Sequence, residues 1–235
     1  MSAEGSEPSA EGKAGRGFHG RLKGKRLRPG QEDRVATLLP QLCLTAEPVA
    51  DLAGLFPHRP ARVRLEIGFG GGEHLAGLAR REPEAGIIGC EPFVNGMAKL
   101  LGVIATDRLA NIRLWDRDAA ELLPLLPGAG LDEAYLLYPD PWPKRRQRKR
   151  RFVSDATLAA LARVLRPGGL FRFATDIDDY AGWTLARALR APDLAWTAET
   201  GRDWSEPWPG WTPTRYEAKA VAAGRAPSYL TFVRR

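Results

Sequence analysis

From Arg62 onward, short apolar runs alternate with stretches of helical periodicity, and that alternation restricts the chain to very few folds. Arg62–Ile67 reads as a strand, followed at once by Gly68-Phe69-Gly70-Gly71-Gly72 and a helical stretch to about Glu82. Gly86–Glu91 reads as a second strand with a helix from Val94 to about Thr106, and Asn111–Trp115 as a third with a helix from Asp118 to about Leu125. A fourth strand, Ala134–Tyr138, runs into Pro139-Asp140-Pro141-Trp142-Pro143. A helix near Ser154–Leu165 and the breaker Pro167-Gly168-Gly169 precede a fifth strand, Leu170–Thr175. A helix near Asp178–Leu189 leads to strands near Leu194–Ala198 and Tyr229–Val233. Strands separated by helices make βαβ units and a parallel sheet. The expected fold is therefore α/β, doubly wound and mostly parallel, with one antiparallel edge strand at the C-terminal end.

Length and composition agree with one large domain. The chain has 235 residues, 44% of them hydrophobic and 27% charged, which argues against global disorder, a collagen-like fibre or a disulfide scaffold. No apolar run approaches the ~18–20 residues of a membrane-spanning helix, and the first thirty residues lack the apolar stretch of a secretory signal. A cytoplasmic protein is expected, with no membrane partner. Cys43 and Cys90 form no C-x-x-C pair, and His19, His58 and His74 lack ligand spacing, so no metal site is expected. Residues 1–30 read as an arm and residues 31–235 as a single domain. Met1–Ala14 reads as disordered, whereas Gly15–Arg28 turns basic, either as a solvated tail or as an arm that orders on an RNA backbone.

Charge is more informative in its placement than in its total. The octet Lys144 to Arg151 holds seven positive charges and no negative one, so subtracting it from the net charge of +7 leaves the remaining chain formally neutral. One local basic patch points to a polyanion met at one place. A solvated loop is the plainer reading of such a run, but its position beside the rigid Pro-Asp-Pro turn favours phosphate contact.

In doubly wound sheets, ligands bind at the carboxyl ends of the strands, at the topological switch point. The glycine loop standing there lets backbone approach a ligand and opens a helix with free N–H groups, but alone it suits NAD, a nucleotide, S-adenosylmethionine or a tight turn. The acids around it narrow the choice. Glu66 precedes the first glycine, where a carboxylate repels a pyrophosphate and attracts a cationic amine or sulfonium. Glu91 ends the next strand, 25 residues on, in place for the two hydroxyls of a ribose, and Asp118 after the third strand could accept from an exocyclic adenine amine. Three acids around a glycine loop suit S-adenosylmethionine, which carries no phosphate. Asp140, fixed between prolines and flanked by Tyr138 and Trp142, either suits a flat polar ring or caps the next element in a loop whose aromatics close the core. Trp204, Trp208 and Trp211 either stack unpaired bases or pack a loop onto the domain.

Taken together, these residues resemble the bacterial tRNA (guanine-N7-)-methyltransferases. The resemblance rests on Leu65-Glu66-Ile67-Gly68-Phe69-Gly70, Gly89-Cys90-Glu91, Asp118-Ala119, Tyr138 to Lys144 with the basic run, Ala174-Thr175-Asp176 and Thr214-Arg215-Tyr216-Glu217. It implies a seven-stranded, Rossmann-like fold, S-adenosyl-L-methionine as cofactor, and methyl transfer to N7 of a guanine in the tRNA variable loop (guanine 46). It implies cofactor contacts at Glu66, Gly68, Gly70, Glu91, Asp118 and Asp140, with Asp140 also catalytic. It further implies substrate contacts at Lys144, Arg146, Arg148, Lys149, Arg150, Arg151, Asp176, Thr214, Arg215, Tyr216 and Glu217. The implied partner is tRNA, and the chain is expected to act as a monomer or homodimer. Two departures stand out: the family's usual Thr-Lys-Phe-Glu is Thr-Arg-Tyr-Glu here, and its usual Gly-His further on is replaced by Gly224-Arg225-Ala226-Pro227-Ser228. Other readings are an S-adenosylmethionine enzyme acting on another base or on protein, and a non-catalytic RNA-binding module or NAD enzyme on the same fold.

Overall fold

A computed structural model describes residues 18–235; the disorder expected of Met1–Ala14 lies outside them. The strands are β1 (Val63–Ile67), β2 (Gly86–Cys90), β3 (Ile112–Trp115), β4 (Leu131–Leu137), β5 (Leu165–Thr175), β6 (Leu194–Trp196) and β7 (Ser228–Arg234). They form one seven-stranded sheet in the order β3-β2-β1-β4-β5-β7-β6. β1 pairs in parallel with both β2 and β4, so the strand order reverses between β1 and β4. The antiparallel strand is β7, at the expected end of the sheet but one strand in from its edge; short β6 lies outside it.

Helices α1 (Pro29–Thr37), α2 (Leu39–Leu42), α3 (Glu73–Arg81) and α4 (Val94–Asp107) pack with one face of the sheet. Helices α5 (Ala119–Leu122), α6 (Asp155–Val164) and α7 (Asp178–Ala188) cover the other. The period of two along a strand decides which residue meets which layer. In β1, Leu65 and Ile67 face the α5–α7 layer; in β4, Ala134 and Leu136 face it while Tyr135 and Leu137 face α3 and α4. Two short helices follow, α8 (Arg202–Ser205) and α9 (Arg215–Ala222).

Several boundaries move for local reasons. α5 stops at Leu122, and a 3₁₀ turn over Leu123–Leu125 containing Pro124 takes its place, because proline has no N–H to continue the ladder. β5 begins at Leu165, earlier than expected: Leu165 pairs with Leu131, the register then shifts, and Leu170 pairs with Glu133, so Pro167-Gly168-Gly169 forms an irregularity within the strand. The pair α1–α2 lies in a stretch whose helical pattern Pro40 interrupts; its Val35, Leu38, Leu39 and Leu42 pack on the α3–α4 layer. The described part of the arm lies along the start of α4. Val94 N donates to Leu22 O (3.0 Å), Gly24 N to Asn95 Oδ1 (2.6 Å), and Asn95 Nδ2 to Lys25 O (2.6 Å). Among the described residues, no helix is long and apolar enough to cross a membrane.

Candidate active site

A cavity of about 410 Å³ opens at the carboxyl ends of β1, β2 and β4, at the point where the strand order reverses. The glycine loop forms one wall. Gly68, Gly70 and Gly72 all have positive φ, and a Cβ at Gly70 would sit 3.1 Å from the Tyr216 ring. Gly96 in the first turn of α4 meets the same loop from behind: a Cβ there would lie 2.1 Å from Gly70 O. Glu91 closes the wall, its two oxygens accepting from Gly70 N (2.6 Å) and Phe93 N (2.9 Å). Burial raises the Glu91 carboxyl above its ordinary range, and neighbouring Asp140 adds to the shift. Asp118 caps α5 by accepting from Ala120 N (3.0 Å) and also lines the cavity.

Glu66 does not line it. The alternation of β1 turns its side chain, like that of Arg64, toward the α3–α4 layer, where His74 Nδ1 lies 2.7 Å from Glu66 Oε2 beneath the loop. The ring of His74 is itself held between Tyr135 and Trp211, each with centroids 5.0 Å away. The sequence signal that could have exposed this pair is the position of His74, one residue into the helix that follows the loop.

Opposite the loop stands Tyr138-Pro139-Asp140-Pro141-Trp142. Tyr138 makes the last ladder bond of β4, N to Ala174 O (2.7 Å). Tyr138 (φ 49°) and Trp142 (φ 41°) both adopt the left-handed conformation that costs non-glycine residues energy. Between them Asp140 lines the cavity mouth, and desolvation by the surrounding protein raises its carboxyl above the ordinary range. Arg150 lies 5.0 Å from the Trp142 ring centroid, and Phe18, His19 and Arg21 of the arm complete the rim.

The basic run forms a 3₁₀ turn over Arg145–Arg150, and its members do not share one fate. Lys144, Arg145, Arg146 and Lys149 are exposed. Arg148 donates to Asp179 Oδ1 (2.6 Å). Arg151, grouped by sequence with the RNA contacts, is 1% exposed, so the structure removes it from the surface that phosphates can reach. It bonds Pro141 O (2.8 Å), Asp179 O (3.3 Å) and the Asp179 carboxylate.

The other motifs also divide. Asp176 follows β5 and is paired by Arg225 Nε (2.6 Å), which stands in the segment that departs from the family pattern. In Thr214-Arg215-Tyr216-Glu217, the outer two residues are buried. Thr214 caps α9 by accepting from Glu217 N (3.1 Å), and Glu217 accepts from Trp211 Nε1 (2.7 Å) and the Tyr229 hydroxyl. The inner two reach the cavity side: Tyr216, 41% exposed, lines it, and Arg215 Nη2 donates to the Tyr216 hydroxyl (3.2 Å). Trp208 and Trp211 pack edge-to-face with Tyr229 against the sheet, whereas Trp204 is exposed on α8.

A sequence profile described as "Putative methyltransferase" matches residues 60–229, and with the fold and this glycine-walled cavity it sets the class of the protein, a methyltransferase. The chain is 56% identical over 219 residues to a tRNA (guanine-N(7)-)-methyltransferase of Rhodopseudomonas palustris (strain BisA53), covering 92% of this chain and 88% of that protein. It is 54% identical over 220 residues to one of Agrobacterium fabrum (strain C58), covering 93% and 95%. The chain belongs to the tRNA (guanine-N(7)-)-methyltransferase family. The crystal structure of the 16S rRNA methyltransferase KamB shares the fold, with a TM-score of 0.54 at 20% identity over 75% of this chain and 89% of that one.

Proposed function

We propose that this chain transfers the methyl group of S-adenosylmethionine to N7 of a guanine in the tRNA variable loop, guanine 46, with Asp140 as its catalytic residue. The observation that carries the reading is the placement of Asp140: it faces the glycine loop across one cavity, with a cationic turn at the rim, in a chain of this family. The cavity residues fit the cofactor. Glu91 and Asp118 offer acceptors for hydroxyls and an exocyclic amine, Gly68 and Gly70 allow close backbone approach, and this donor set disfavours a pyrophosphate. When bound, S-adenosylmethionine supplies an electrophilic methyl group on a sulfonium. Glu66, buried with His74, supports the loop from beneath.

Guanine N7 carries a lone pair and no proton, so no residue has to act as its base. Methylation leaves the ring cationic. Asp140 accepts from the N–H edge of the guanine and stabilises the developing positive charge, a positional and electrostatic role. Tyr216, Arg215 and Asp176 complete the guanine side, with Thr214 and Glu217 holding α9 in place. Lys144, Arg146 and Lys149 meet phosphates; Arg148 and Arg150 border them. Residues 1–30 act as an arm on one domain of residues 31–235, a monomer or homodimer working in the cytoplasm where tRNA is found.

Labelled S-adenosylmethionine and unmodified tRNA transcripts test the reading. The expected product is N7-methylguanosine, lost when the variable-loop guanine is replaced. A different methylated nucleoside keeps the cofactor and discards the target; tight tRNA binding without transfer discards the enzyme.

A further inference from the structure

The basic run contains one residue that is almost wholly buried, Arg151. A 3₁₀ turn has three residues per turn, so side chains at i and i+3 stack in rows. Arg148, in the turn, and Arg151, its C-cap three residues on, both reach Asp179 in the first turn of α7, whereas Arg145 is exposed. The Arg151 guanidinium is enclosed, 4.7 Å from the Tyr180 ring centroid and 5.1 Å from that of Trp183. A buried cation is tolerated only where it is paired and hydrogen-bonded. Arg151 meets that condition with Asp179, whose other carboxylate oxygen takes Arg148. Its remaining bond is the unusual one: Nε donates to the carbonyl of Pro141, the residue directly after Asp140 (2.8 Å).

That carbonyl belongs to a strained turn. Tyr138 and Trp142 hold positive φ at its two ends, and such conformations persist only where the surroundings over-determine them. The near end is fixed by the ladder bond from Tyr138 N to Ala174 O. The far end has Arg151. Through Asp179 and Tyr180 the same guanidinium is tied to the segment that begins at Asp176, so it connects the turn bearing one active-site acid to the helix start beside another.

We propose that Arg151 is a positioning residue for Asp140 and not a contact to RNA: it clamps the Pro-Asp-Pro turn against the start of α7. The proposal rests on the methyltransferase reading given above for Asp140. Planar and forked, the guanidinium serves Pro141 and Asp179 at once, which a lysine ammonium on a single point cannot do.

The test uses the full chain and compares Arg151→Lys, Asp179→Asn and the exposed neighbour Arg146→Gln in single-turnover methylation at saturating tRNA and in tRNA binding across a salt series. Arg151→Lys is expected to lower the rate about 10- to 100-fold, the scale of a small misplacement of reacting groups, with tRNA Kd and salt slope within about twofold of the unaltered protein. Asp179→Asn should act in the same direction, about threefold, by loosening the clamp from its far side. Arg146→Gln should instead weaken tRNA binding and reduce the salt slope by about one. Arg151→Lys behaving like Arg146→Gln, with the rate at saturation intact, overturns the proposal. Should Arg151→Lys fail to fold, Asp179→Asn decides alone: a lowered rate with intact tRNA binding supports the clamp, and an intact rate overturns it. Absence of N7-methylguanosine from the unaltered protein overturns the assigned activity instead; the clamp is then judged by the rate ratio on whichever nucleoside is methylated.

Discussion

The ends of β1 and β4 face each other across one crevice, yet they are built by opposite means. The β1 end is made of backbone. Glycines with positive φ bring the loop close to α4 and Tyr216, and the carboxylate of Glu91 satisfies a loop N–H from the adjacent strand. The β4 end is made of constraint. Two prolines remove donors, two aromatic residues take a costly conformation, and the Arg151 side chain, itself held by Asp179 of α7, bonds the turn from outside. A wall of satisfied backbone suits a ligand that occupies the same place in every turnover. An acid on a clamped turn, at a mouth rimmed by exposed cations, suits a large substrate that must arrive, be oriented and leave.

The comparison can be broken most decisively at its catalytic acid. Asp140→Asn preserves shape and removes the charge; kcat should fall by about 10²–10³, the scale seen when one preorganised stabilising group is lost, while cofactor affinity moves far less. A near-normal kcat in single-turnover assays would place charge stabilisation elsewhere. On the opposite wall the expected pattern reverses. Gly96→Ala puts a Cβ against Gly70 O, a backbone atom with no room to yield, and should destabilise the protein by about 1–3 kcal/mol. Calorimetry should show cofactor binding weakened along with the thermal midpoint; unchanged cofactor affinity would mean that the loop is not held by α4.

Changing Lys144, Arg146 and Lys149 together to Gln tests the rim alone. Tight steps of salt should show the slope of log K against log salt reduced by about 2 to 3, with cofactor binding untouched. An unaltered slope would show that phosphates are met at other residues. The smallest effect concerns pH. Desolvation raises the Asp140 carboxyl, so protonation neutralises it at a pH above the ordinary 3.8, and kcat should decline on the acid side from that higher point. The limb should vanish in Asp140→Asn; its persistence there would assign it to another group, with Glu91 the first candidate because burial raises it too.

Much of this arrangement was readable in one dimension. The alternation of strands and helices has a local cause, the two periods of apolar residues, and so the sheet and its switch point followed from pattern alone. Gly68, Gly70, Glu91, Asp118 and Asp140 lie directly at strand ends, and the topology carries them to one cavity. The limits of that reading are equally physical. Glu66 is two positions before the glycine loop, yet the period of two sends it to the far face of the sheet and to His74. Thr214 and Glu217 carry polar groups like those of their neighbours, but their oxygens are already occupied by α9, Trp211 and Tyr229.

The basic run shows the division most plainly. By itself the sequence determined that a cationic segment follows the Pro-Asp-Pro turn, because composition and proline geometry are local properties. Which cations remain available for a polyanion was decided only by the tertiary structure. Arg146 and Arg151 are chemically identical, but α7 presents Asp179, Tyr180 and Trp183 to one and nothing comparable to the other. A charged group is exposed or consumed according to the partners that distant segments bring to it, and for Arg151 those of α7 stand 28 positions away and beyond.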